Sequence, residues 1–425
     1  MKKRFLMTAW GSFGDLHPYI AVAIGVRARG HDVAIAAGEV YRAKIEAEGI
    51  RFHPARPDLP SVDDTETVRR VMDPKTGSEF VIRKMALAQL EQSYEDLLPA
   101  ARGYDLLVGH AVMYALPLVA ETLRLPWVSV ALQPIGFFSA YDPSVIPAAP
   151  KFHRLQRLVG RRGYAFILGL VTRRTRSWMR PVDDLRKRLG LSPARGNPLI
   201  EGAFSPLMTL AWFSPLIAPP QPDWPVNTRA TGFPFYDRLE PGKGLDPRLA
   251  EFLKSGDPPI VFTLGTSAVF TAGDFYEESI LAARKLGKRA VLLAGPNAQN
   301  PKWKSLDHSI FVADYAPHSE LLPHAAATVH QGGIGTTAQA LRAGRPMLVT
   351  PYGHDQPDNA ERAARLGVAR VVYPQHYTAE RAVKELQLLL SDRSYSERAA
   401  KAGHQIRSED GVAAACDALE EAASC

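Results

Sequence analysis

Short apolar runs alternate with helix-like stretches along the first third of the chain. Such runs are typical of buried strands, and the longer stretches between them are typical of helices. Strands of this kind, joined by helices, predict a parallel sheet that is covered on both faces. The predicted strands are residues 5–10, 33–37, 106–108 and 128–132, and the predicted helices are 17–29, 40–48 and 114–123.

The same alternation begins again in the second half of the chain. Between the halves, residues 215–259 are rich in proline and poor in regular pattern, so we place an interdomain linker in the middle of this stretch. The pattern predicts two similar α/β domains, residues 1–235 and 236–405. A C-terminal helix at 406–425 is expected to return to the N-terminal domain. The predicted strands of the second half are residues 260–264, 290–294, 311–313, 327–329, 347–350 and 369–372.

Composition narrows the class of protein. A length of 425 residues is too great for one ordinary core, and the 46% hydrophobic and 22% charged content is typical of a globular protein. The two cysteines, Cys416 and Cys425, give neither a disulfide framework nor a zinc pattern, which predicts a reducing, cytoplasmic setting. The first apolar run is too short for a signal peptide, and no run reaches the roughly 18 apolar residues of a membrane span.

Positive charge is concentrated in one segment. The net charge is +7, and residues 151–188 hold twelve Lys or Arg against two Asp. Such a segment predicts peripheral contact with anionic lipid at the inner face of a membrane, or simply a solvated helical face. Nucleic acid is not an expected partner, because no nucleic-acid-binding motif accompanies the charge.

The segment at residues 330–359 carries the clearest chemistry. An apolar run ends in a histidine, and a Gly-Gly-x-Gly-Thr-Thr turn then opens a helix. The glycines let backbone amides approach an anion, and the positive end of the helix points at the same place. Asp355 and Gln356, one strand further on, can hold several hydroxyl groups, so the pattern predicts a nucleotide sugar. The phosphate-binding candidates are His330, Gly332, Gly333, Gly335, Thr336 and Thr337.

This segment resembles the donor-binding signature of the family 1 glycosyltransferases, and most closely that of the bacterial rhamnosyltransferase and sterol-glucosyltransferase branch. The signature covers 317–323, 330–337 and 355–357, and its spacing over about forty residues makes the resemblance specific. The resemblance covers nearly the whole chain. It implies the GT-B fold, in which two Rossmann-like domains with parallel sheets face each other across an interdomain cleft. Ligands of such sheets lie beyond the carboxyl ends of the strands.

In this family the loop after the first strand carries the catalytic base, often a histidine three residues before a proline. Asp15 holds that place here, as in the sterol-glucosyltransferase branch, and Gly14 beside it is a donor-binding candidate. Asp15 could equally cap the first helix, whose N-terminus would lower the carboxyl pKa. His17 is a competing base, or an exposed first-turn histidine. His110 stands where many members have an Asp that orients the base, so it could pair with Asp15 or cap a strand end.

Other candidates come from matching loops of the family. Thr266 and Ser267 follow the first strand of the second half, where the family contacts the donor phosphates, although a simple helix cap would look the same. Tyr315 stands where an aromatic side chain, often Trp, stacks on the nucleobase, and His318 stands where plant members have Gln. An ordinary strand-end tyrosine is the alternative for Tyr315. The acceptor-pocket candidates are Phe137, Phe138 and Tyr141, with Trp178 and Trp212 beside them, although such aromatics are commonly core residues.

Taken together, these features predict an inverting glycosyltransferase that moves glucose from UDP-glucose to a hydroxyl of an apolar small-molecule or lipid acceptor. No Asp-x-Asp motif lies near the donor segment, so no metal is expected, and no cofactor beyond a UDP-sugar or dTDP-sugar donor. The alternatives are a dTDP-rhamnose-dependent rhamnosyltransferase, a GT-B sugar-nucleotide epimerase, and a non-catalytic nucleotide-sugar-binding protein. A nicotinamide dehydrogenase is disfavoured, because Gly11-x-x-Gly14 lacks the full G-x-G-x-x-G fingerprint.

Overall fold

Two parallel sheets organise the chain, as the alternating pattern predicts. The computed structural model describes residues 1–59, 64–237, 244–303 and 306–424. The contacts divide the chain into two units. The first unit consists of Met1–Ser61, Lys75–Tyr236 and Glu409–Cys425, and the second consists of Val62–Pro74 and Asp237–Ser408.

The first unit contains a seven-stranded sheet in the order β3-β2-β1-β4-β5-β6-β7, with every neighbouring pair parallel. The strands are β1 Arg4–Thr8, β2 Asp32–Ala37, β3 Arg51–Pro54, β4 Leu106–His110, β5 Trp127–Ala131, β6 Thr209–Ala211 and β7 Thr228–Ala230. The helices are α1 Phe13–Ala28, α2 Arg42–Ala47, α4 Gly77–Phe80, α5 Leu90–Ala101, α6 Ala115–Leu123, α7 Leu155–Thr175, α8 Arg180–Arg188 and α17 Gly411–Ala422. A helix α3, Thr65–Val71, belongs to the second unit.

The strand order of the first sheet positions its loops. Strands β2 and β3 lie on one side of β1, and the chain then crosses to its other side to form β4. Strands β1 and β4 are therefore neighbours, with Thr8 paired to Gly109. The loop after β1 therefore lies beside the carboxyl end of β4, where such sheets bind their ligands. Gly109 is required here, because a Cβ at that position would collide with the side chains of Thr8 and Leu116.

The last helix completes the core of the first unit. Its side chains Cys416 and Leu419 are fully buried in the same apolar cluster as Val22 of α1. Gly25 allows this close packing, since a Cβ there would lie 2.6 Å from the Cγ1 of Val412. Helix α17 lies within the predicted C-terminal segment 406–425.

The second unit contains a six-stranded sheet in the order β10-β9-β8-β11-β12-β13, again parallel throughout. In this sheet β8 and β11 are neighbours, and Thr263 pairs with His330. The strands are β8 Ile260–Thr263, β9 Ala290–Leu293, β10 Ile310–Ala313, β11 Ala327–His330, β12 Met347–Val349 and β13 Ala369–Val371. The helices are α9 Pro247–Lys254, α10 Gly265–Ala268, α11 Phe275–Lys285, α12 His318–Leu321, α13 Ile334–Ala343, α14 Gln356–Arg365, α15 Ala379–Ser391 and α16 Arg393–Ser408.

The predicted strands are confirmed, with boundaries that differ by one or two residues. The sequence pattern missed β3, β6 and β7, which are only three or four residues long. Strands β3 and β7 carry no long apolar run, whereas β6 lies within the apolar run 207–213, which was not assigned as a strand. It also placed the start of the first helix at His17, whereas α1 begins at Phe13. The sequence of α3 did not indicate that this helix packs with the second unit. Met72, which directly follows the helix, lies in the core of that unit.

Candidate functional site

The turn between β11 and α13 is built by glycine. Gly332 has a φ of +88°, and a Cβ there would lie 2.7 Å from the Cγ1 of Val349, so this backbone requires glycine. Helix α13 then begins at Ile334 with Gly333 as its N-cap, which offers no side-chain cap. By helix geometry, the first N–H groups of α13 have no intrahelical acceptor. A Cβ on Gly335 would face open space, so the start of the helix has room beside it.

His330 ends β11 and is fully buried. Its Nδ1 accepts a hydrogen bond from the Gly332 N–H at 3.1 Å, so the ring proton of the neutral form must lie on Nε2. Burial, with a smaller contribution from neighbouring His318, lowers the pKa of His330 to about 3. The Nε2–H has no partner among the described residues. His330 is therefore neutral, and its Nε2–H is available to donate a hydrogen bond.

Two buried threonines follow the glycine turn in the first turn of α13. Thr337 is fully buried, and its Oγ1 has no partner among the described residues. Thr336 is also buried, and its Oγ1 accepts a long hydrogen bond, 3.5 Å, from the Nε2 of Gln331. The structure thus brings His330, Gly332, Gly333, Thr336 and Thr337 together at one strand end, as the sequence predicted for a phosphate site.

Gln331 is a residue that the sequence analysis missed. It is buried, and its Oε1 has no partner among the described residues. Its side chain lies against the turn at Gly265, where φ is +63° and where an added Cβ would collide with the Gln331 amide. The signal was present in the sequence: a polar residue lies directly between the buried strand and the glycine turn.

Asp355 and Gln356 are engaged by the backbone around them. Asp355 Oδ2 accepts hydrogen bonds from the Ile334 N–H at 3.1 Å and from Nδ2 of Asn359 at 2.6 Å. Gln356 Oε1 accepts from the N–H groups of Tyr352 and Gly353. The pair therefore holds the loop between β12 and α14 against the start of α13. Its predicted contacts with sugar hydroxyls stay a prediction.

Asn359 was also missed by the sequence analysis. It is fully buried, and its Nδ2 donates to the Gly332 carbonyl at 2.9 Å as well as to Asp355. Its Oδ1 has no partner among the described residues. Asn359 thus ties the glycine turn to helix α14. The sequence signal was its position, four residues after Asp355 and hence on the same face of that helix.

The other donor candidates lie on neighbouring loops of the second unit. Tyr315 follows β10 and is 64% exposed, which leaves its ring accessible. His318 begins α12, and burial lowers its pKa to about 4, so it is neutral like His330. Thr266 and Ser267 fall on α10, but their side chains lie outside the described residues, so their phosphate contacts stay a prediction.

Asp15 lies in the first turn of α1, in the first unit. Ser12 is the N-cap and accepts from the Gly14 N–H, while Asp15 Oδ2 accepts from the Ser12 N–H at 2.6 Å and from the Ser12 hydroxyl at 3.0 Å. This is a capping box, so the sequence expectation that Asp15 itself caps the helix is corrected. Gly11, with a φ of +127°, lets the backbone pass close to the carboxylate, where a Cβ would collide.

Burial raises the pKa of Asp15, and the hydrogen bonds from Ser12 oppose this effect only in part. The sequence argument considered only the helix N-terminus, which lowers the pKa of a carboxyl group. Desolvation is the larger effect here, and the carboxylate lies against the backbone of the Gly11 turn. A carboxylate with a raised pKa is a stronger base at neutral pH.

His110 and His17 differ in their surroundings. His110 ends β4 and is buried, which lowers its pKa to about 4 and leaves the ring neutral. Its Nδ1 has no partner among the described residues, and no hydrogen bond joins it to Asp15 there. His17 packs its ring near those of Phe13 and Tyr236, with centroids 5.8 and 5.0 Å away. The expected Asp15–His110 pair therefore stays a prediction.

Further polar atoms face the same end of the first sheet. Trp10 follows β1, Tyr114 precedes α6, and Gln133 follows β5. Each has a buried polar atom without a partner among the described residues: Nε1 of Trp10, the hydroxyl of Tyr114 and Oε1 of Gln133. Buried polar groups are normally hydrogen-bonded, so unpaired groups at strand ends are candidate ligand contacts. The sequence analysis missed all three, because Trp10 and Tyr114 look like core residues and Gln133 begins a stretch of irregular pattern.

The acceptor candidates divide into core and surface residues. Phe137 is buried among the rings of Phe204, Phe213 and Trp224, and Trp212 is buried against Tyr19, so both side chains are core residues. Phe138 is half-buried with a φ of +48°, and Tyr141 is exposed with the Arg161 guanidinium 4.4 Å above its ring. Trp178 lies under the guanidinium of Arg83. Acceptor contacts by Phe137, Phe138 and Tyr141 stay predictions.

Within the part of the chain that the structure describes, no group of His, Cys, Asp and Glu side chains could hold a metal ion. Among the helices of that part, none is long and apolar enough to cross a membrane.

Two family models match the chain. The glycosyltransferase family 28 N-terminal domain matches residues 5–124, and the C-terminal domain of the erythromycin biosynthesis protein CIII-like family matches residues 282–420. The two matches fall on the first and second sheets, respectively.

Relatives extend the similarity to the full length. The chain is 31% identical to O-mycaminosyltylonolide 6-deoxyallosyltransferase of Streptomyces fradiae, over 98% of this chain and 97% of that protein. It is 27% identical to a sterol 3-beta-glucosyltransferase of Arabidopsis thaliana, over 98% of this chain but only 65% of that protein. The solved structure of glycosyltransferase VinC in complex with DTDP has a TM-score of 0.69 and 22% identity, covering 99% of both chains.

The structural similarity confirms the GT-B fold, and the full-length relative at 31% identity confirms the family that residues 317–357 indicated. The glycine turn and the neutral histidine of the second unit lie within the residues that carry this resemblance. The chain therefore belongs to the family 1 glycosyltransferases.

Proposed function

We propose that this glycosyltransferase transfers a sugar from a nucleoside diphosphate to a hydroxyl of an apolar acceptor, with inversion at the anomeric carbon. The observation that carries the proposal is the Nε2–H of His330. It is a buried, neutral donor without a partner among the described residues, and it lies beside the start of α13. An unsatisfied buried donor costs about 1–3 kcal/mol, which a bound phosphate oxygen would recover.

The diphosphate would be held by three kinds of donor in the second unit. These are the N–H groups of Gly335 and Thr336 at the start of α13, the Nε2–H of His330, and the hydroxyls of Thr336 and Thr337. The positive end of α13 favours an anion there, and its effect grows as negative charge develops on the leaving diphosphate. Tyr315 offers an exposed ring on which the nucleobase would stack. No metal is required in this scheme.

Asp15 is the proposed base. The acceptor hydroxyl gives its proton to the Asp15 carboxylate while its oxygen bonds to the anomeric carbon. The bond between that carbon and the diphosphate oxygen breaks, and the nucleoside diphosphate leaves with the electron pair. The raised pKa of Asp15 supports this role, because it makes the carboxylate a better proton acceptor.

Two donors compete in this proposal. UDP-glucose follows from Asp355 and Gln356, which suit a sugar with several free hydroxyls, including O6. A thymidine-diphosphate deoxysugar such as dTDP-rhamnose is the second candidate. It is supported by the Streptomyces relative, whose name states 6-deoxyallosyl transfer, and by the DTDP complex of VinC. It is also supported by the loop hydrogen bonds that already occupy one oxygen each of Asp355 and Gln356.

One experiment separates the possibilities. The protein is incubated with UDP-glucose and dTDP-rhamnose in competition, with a panel of macrolide, sterol, phenolic and hydroxy-fatty-acid acceptors, and products are identified by mass. A hexose or deoxyhexose mass gain on an acceptor supports transfer and identifies the donor. Conversion of the donor alone to its epimer would instead establish an epimerase. Binding of both donors without any product across the panel would favour a non-catalytic protein.

A further inference from the structure

Helix α7 presents an unusual face to solvent. Residues spaced three and four apart lie on one face of a helix, and here that exposed face combines apolar and basic side chains. Phe166 is 67% exposed and Leu170 is 47% exposed, whereas Tyr164 on the opposite side is buried. A surface helix normally buries its large apolar residues. The α7 face consists of Arg162, Ala165, Phe166, Gly169, Leu170, Arg173 and Arg174.

Exposed apolar side chains also occur before a kink in α7. Gly160 interrupts the helix with a φ of +68°, and the two residues before it, Leu158 and Val159, are both exposed, Leu158 by 82%. This helix therefore exposes several large apolar side chains and not just one. Contiguous exposed apolar surface on a globular protein indicates an interaction site.

The charge within this segment of the sequence has one sign. Residues 151–182 contain nine Lys or Arg and no Asp or Glu. Arg161 stacks over Tyr141, and Arg176 is paired with Asp183. By contrast, no ion pair engages Arg162, Arg173 or Arg174 within the ranges that the structure describes. Among the described residues, these three guanidinium groups thus have no ion-pair partner, and they flank Phe166 and Leu170 along the helix.

We propose that the α7 face docks on an anionic lipid surface. Phe166 and Leu170 enter the headgroup region, and Arg162, Arg173 and Arg174 lie against the negatively charged headgroups. Apolar side chains flanked by arginine are the composition that interfacial helices use, and the long arginine side chains reach back to the headgroup level. A second copy of the chain fits this face poorly, because a twofold contact would bring arginine against arginine. The proposal does not depend on the donor or the base proposed above.

The test is co-sedimentation of the full chain with vesicles of phosphatidylcholine, with and without phosphatidylglycerol. Two double variants remove the parts of the face separately: R173Q/R174Q removes charge, and F166A/L170A removes apolar surface. Two matched controls make the same changes in the second unit. K384Q/K401Q removes two exposed charges, and L281A/L388A removes two exposed leucines.

We expect binding to the anionic vesicles only, weakened by salt. Each arginine near an anionic surface contributes about a fivefold gain in affinity, so R173Q/R174Q should bind about 25-fold more weakly. The variant F166A/L170A should lose roughly tenfold, and both controls should bind like the unaltered protein. In Phe166→Trp, indole emission should shift to shorter wavelength when vesicles are added.

Three results would overturn the proposal. One is no binding to anionic vesicles, or equal binding to neutral ones. Another is a loss in K384Q/K401Q as large as that in R173Q/R174Q, which would reduce the effect to overall charge. The third is a dimer in light scattering that F166A/L170A abolishes while no vesicle binding is seen, which would assign the face to a second copy.

Discussion

Replacing Asp15 by Asn separates the two roles that this residue could have. Asn has the same shape, and its Oδ1 can still accept from the N–H and hydroxyl of Ser12, the two hydrogen bonds that Asp15 makes. It cannot take a proton. If Asp15 accepts the acceptor's proton, transfer should fall by roughly 10²–10⁴-fold. If Asp15 only completes the capping box, transfer should survive.

The cost to folding should be small. A carboxylate near a helix N-terminus contributes roughly 0.3–1 kcal/mol, which Asn loses. Burial of the charge acts in the opposite direction, since it raises the pKa of Asp15. A carboxyl group whose pKa is higher in the folded state contributes stability below its unfolded pKa and loses that contribution as pH rises through the folded value. At neutral pH the charged form therefore carries a cost that Asn removes, and the melting temperature should change little.

The assay compares turnover on an aliphatic alcohol and on an acidic phenol, with donor affinity measured by calorimetry. The loss should be larger for the alcohol, because a phenol ionises partly without help. In the unaltered protein, activity should fall with decreasing pH as Asp15 is protonated, at a pH above the usual Asp range near 3.9. This decrease in activity at low pH should be absent in Asp15→Asn. Near-normal turnover on the alcohol would refute the assignment, and His17 and His110 would be the next candidates.

Four further outcomes are expected. His330→Ala should weaken donor binding by about 1–3 kcal/mol in calorimetry, and unchanged affinity for both donors would contradict the phosphate assignment. The ionisation of His330 should not change donor affinity between pH 5 and 8, because burial lowers its pKa to about 3 and the ring is already neutral. Excess chelator should leave turnover unchanged, and rescue by added magnesium or manganese would count against the site. Tyr315→Ala should lose about 1–3 kcal/mol of nucleobase stacking that Tyr315→Phe retains; equal losses in the two variants would exclude stacking.

The fold was largely predictable because buried parallel strands leave continuous apolar runs, as in the runs that became β1, β8 and β11. Strand β7 was not predictable, because a three-residue strand at the edge of a sheet needs little apolar sequence. Strand β6 is buried inside the sheet, and its apolar run at 207–213 was overlooked. Helix α3 belongs to the second unit because of its tertiary packing, and its short sequence does not indicate which sheet it packs with.

The site was predictable where it depends on backbone shape. A glycine turn followed by a helix is visible in the sequence, and His330 ends the strand before it. Side-chain partners were not predictable in the same way. The sequence predicted that Asp355 and Gln356 contact the sugar, but in the structure each accepts a hydrogen bond from a nearby backbone N–H group. The unpaired atoms of Tyr114 and Gln133 become visible only when their neighbours are placed.

The two sheets use one structural arrangement for two kinds of chemistry. In each, a strand runs into a glycine turn and then into a helix, as β1 does before α1 and β11 before α13. Helix α1 is closed by a side-chain cap, since Ser12 and Asp15 satisfy each other, and what remains at its start is a desolvated carboxylate. Helix α13 has Gly333 as its N-cap and Asp355 as acceptor for the Ile334 N–H, which leaves the N–H groups of Gly335 and Thr336 without an intrahelical acceptor. We infer that this difference in capping suits the first turn to the proposed base and the second turn to the proposed diphosphate site.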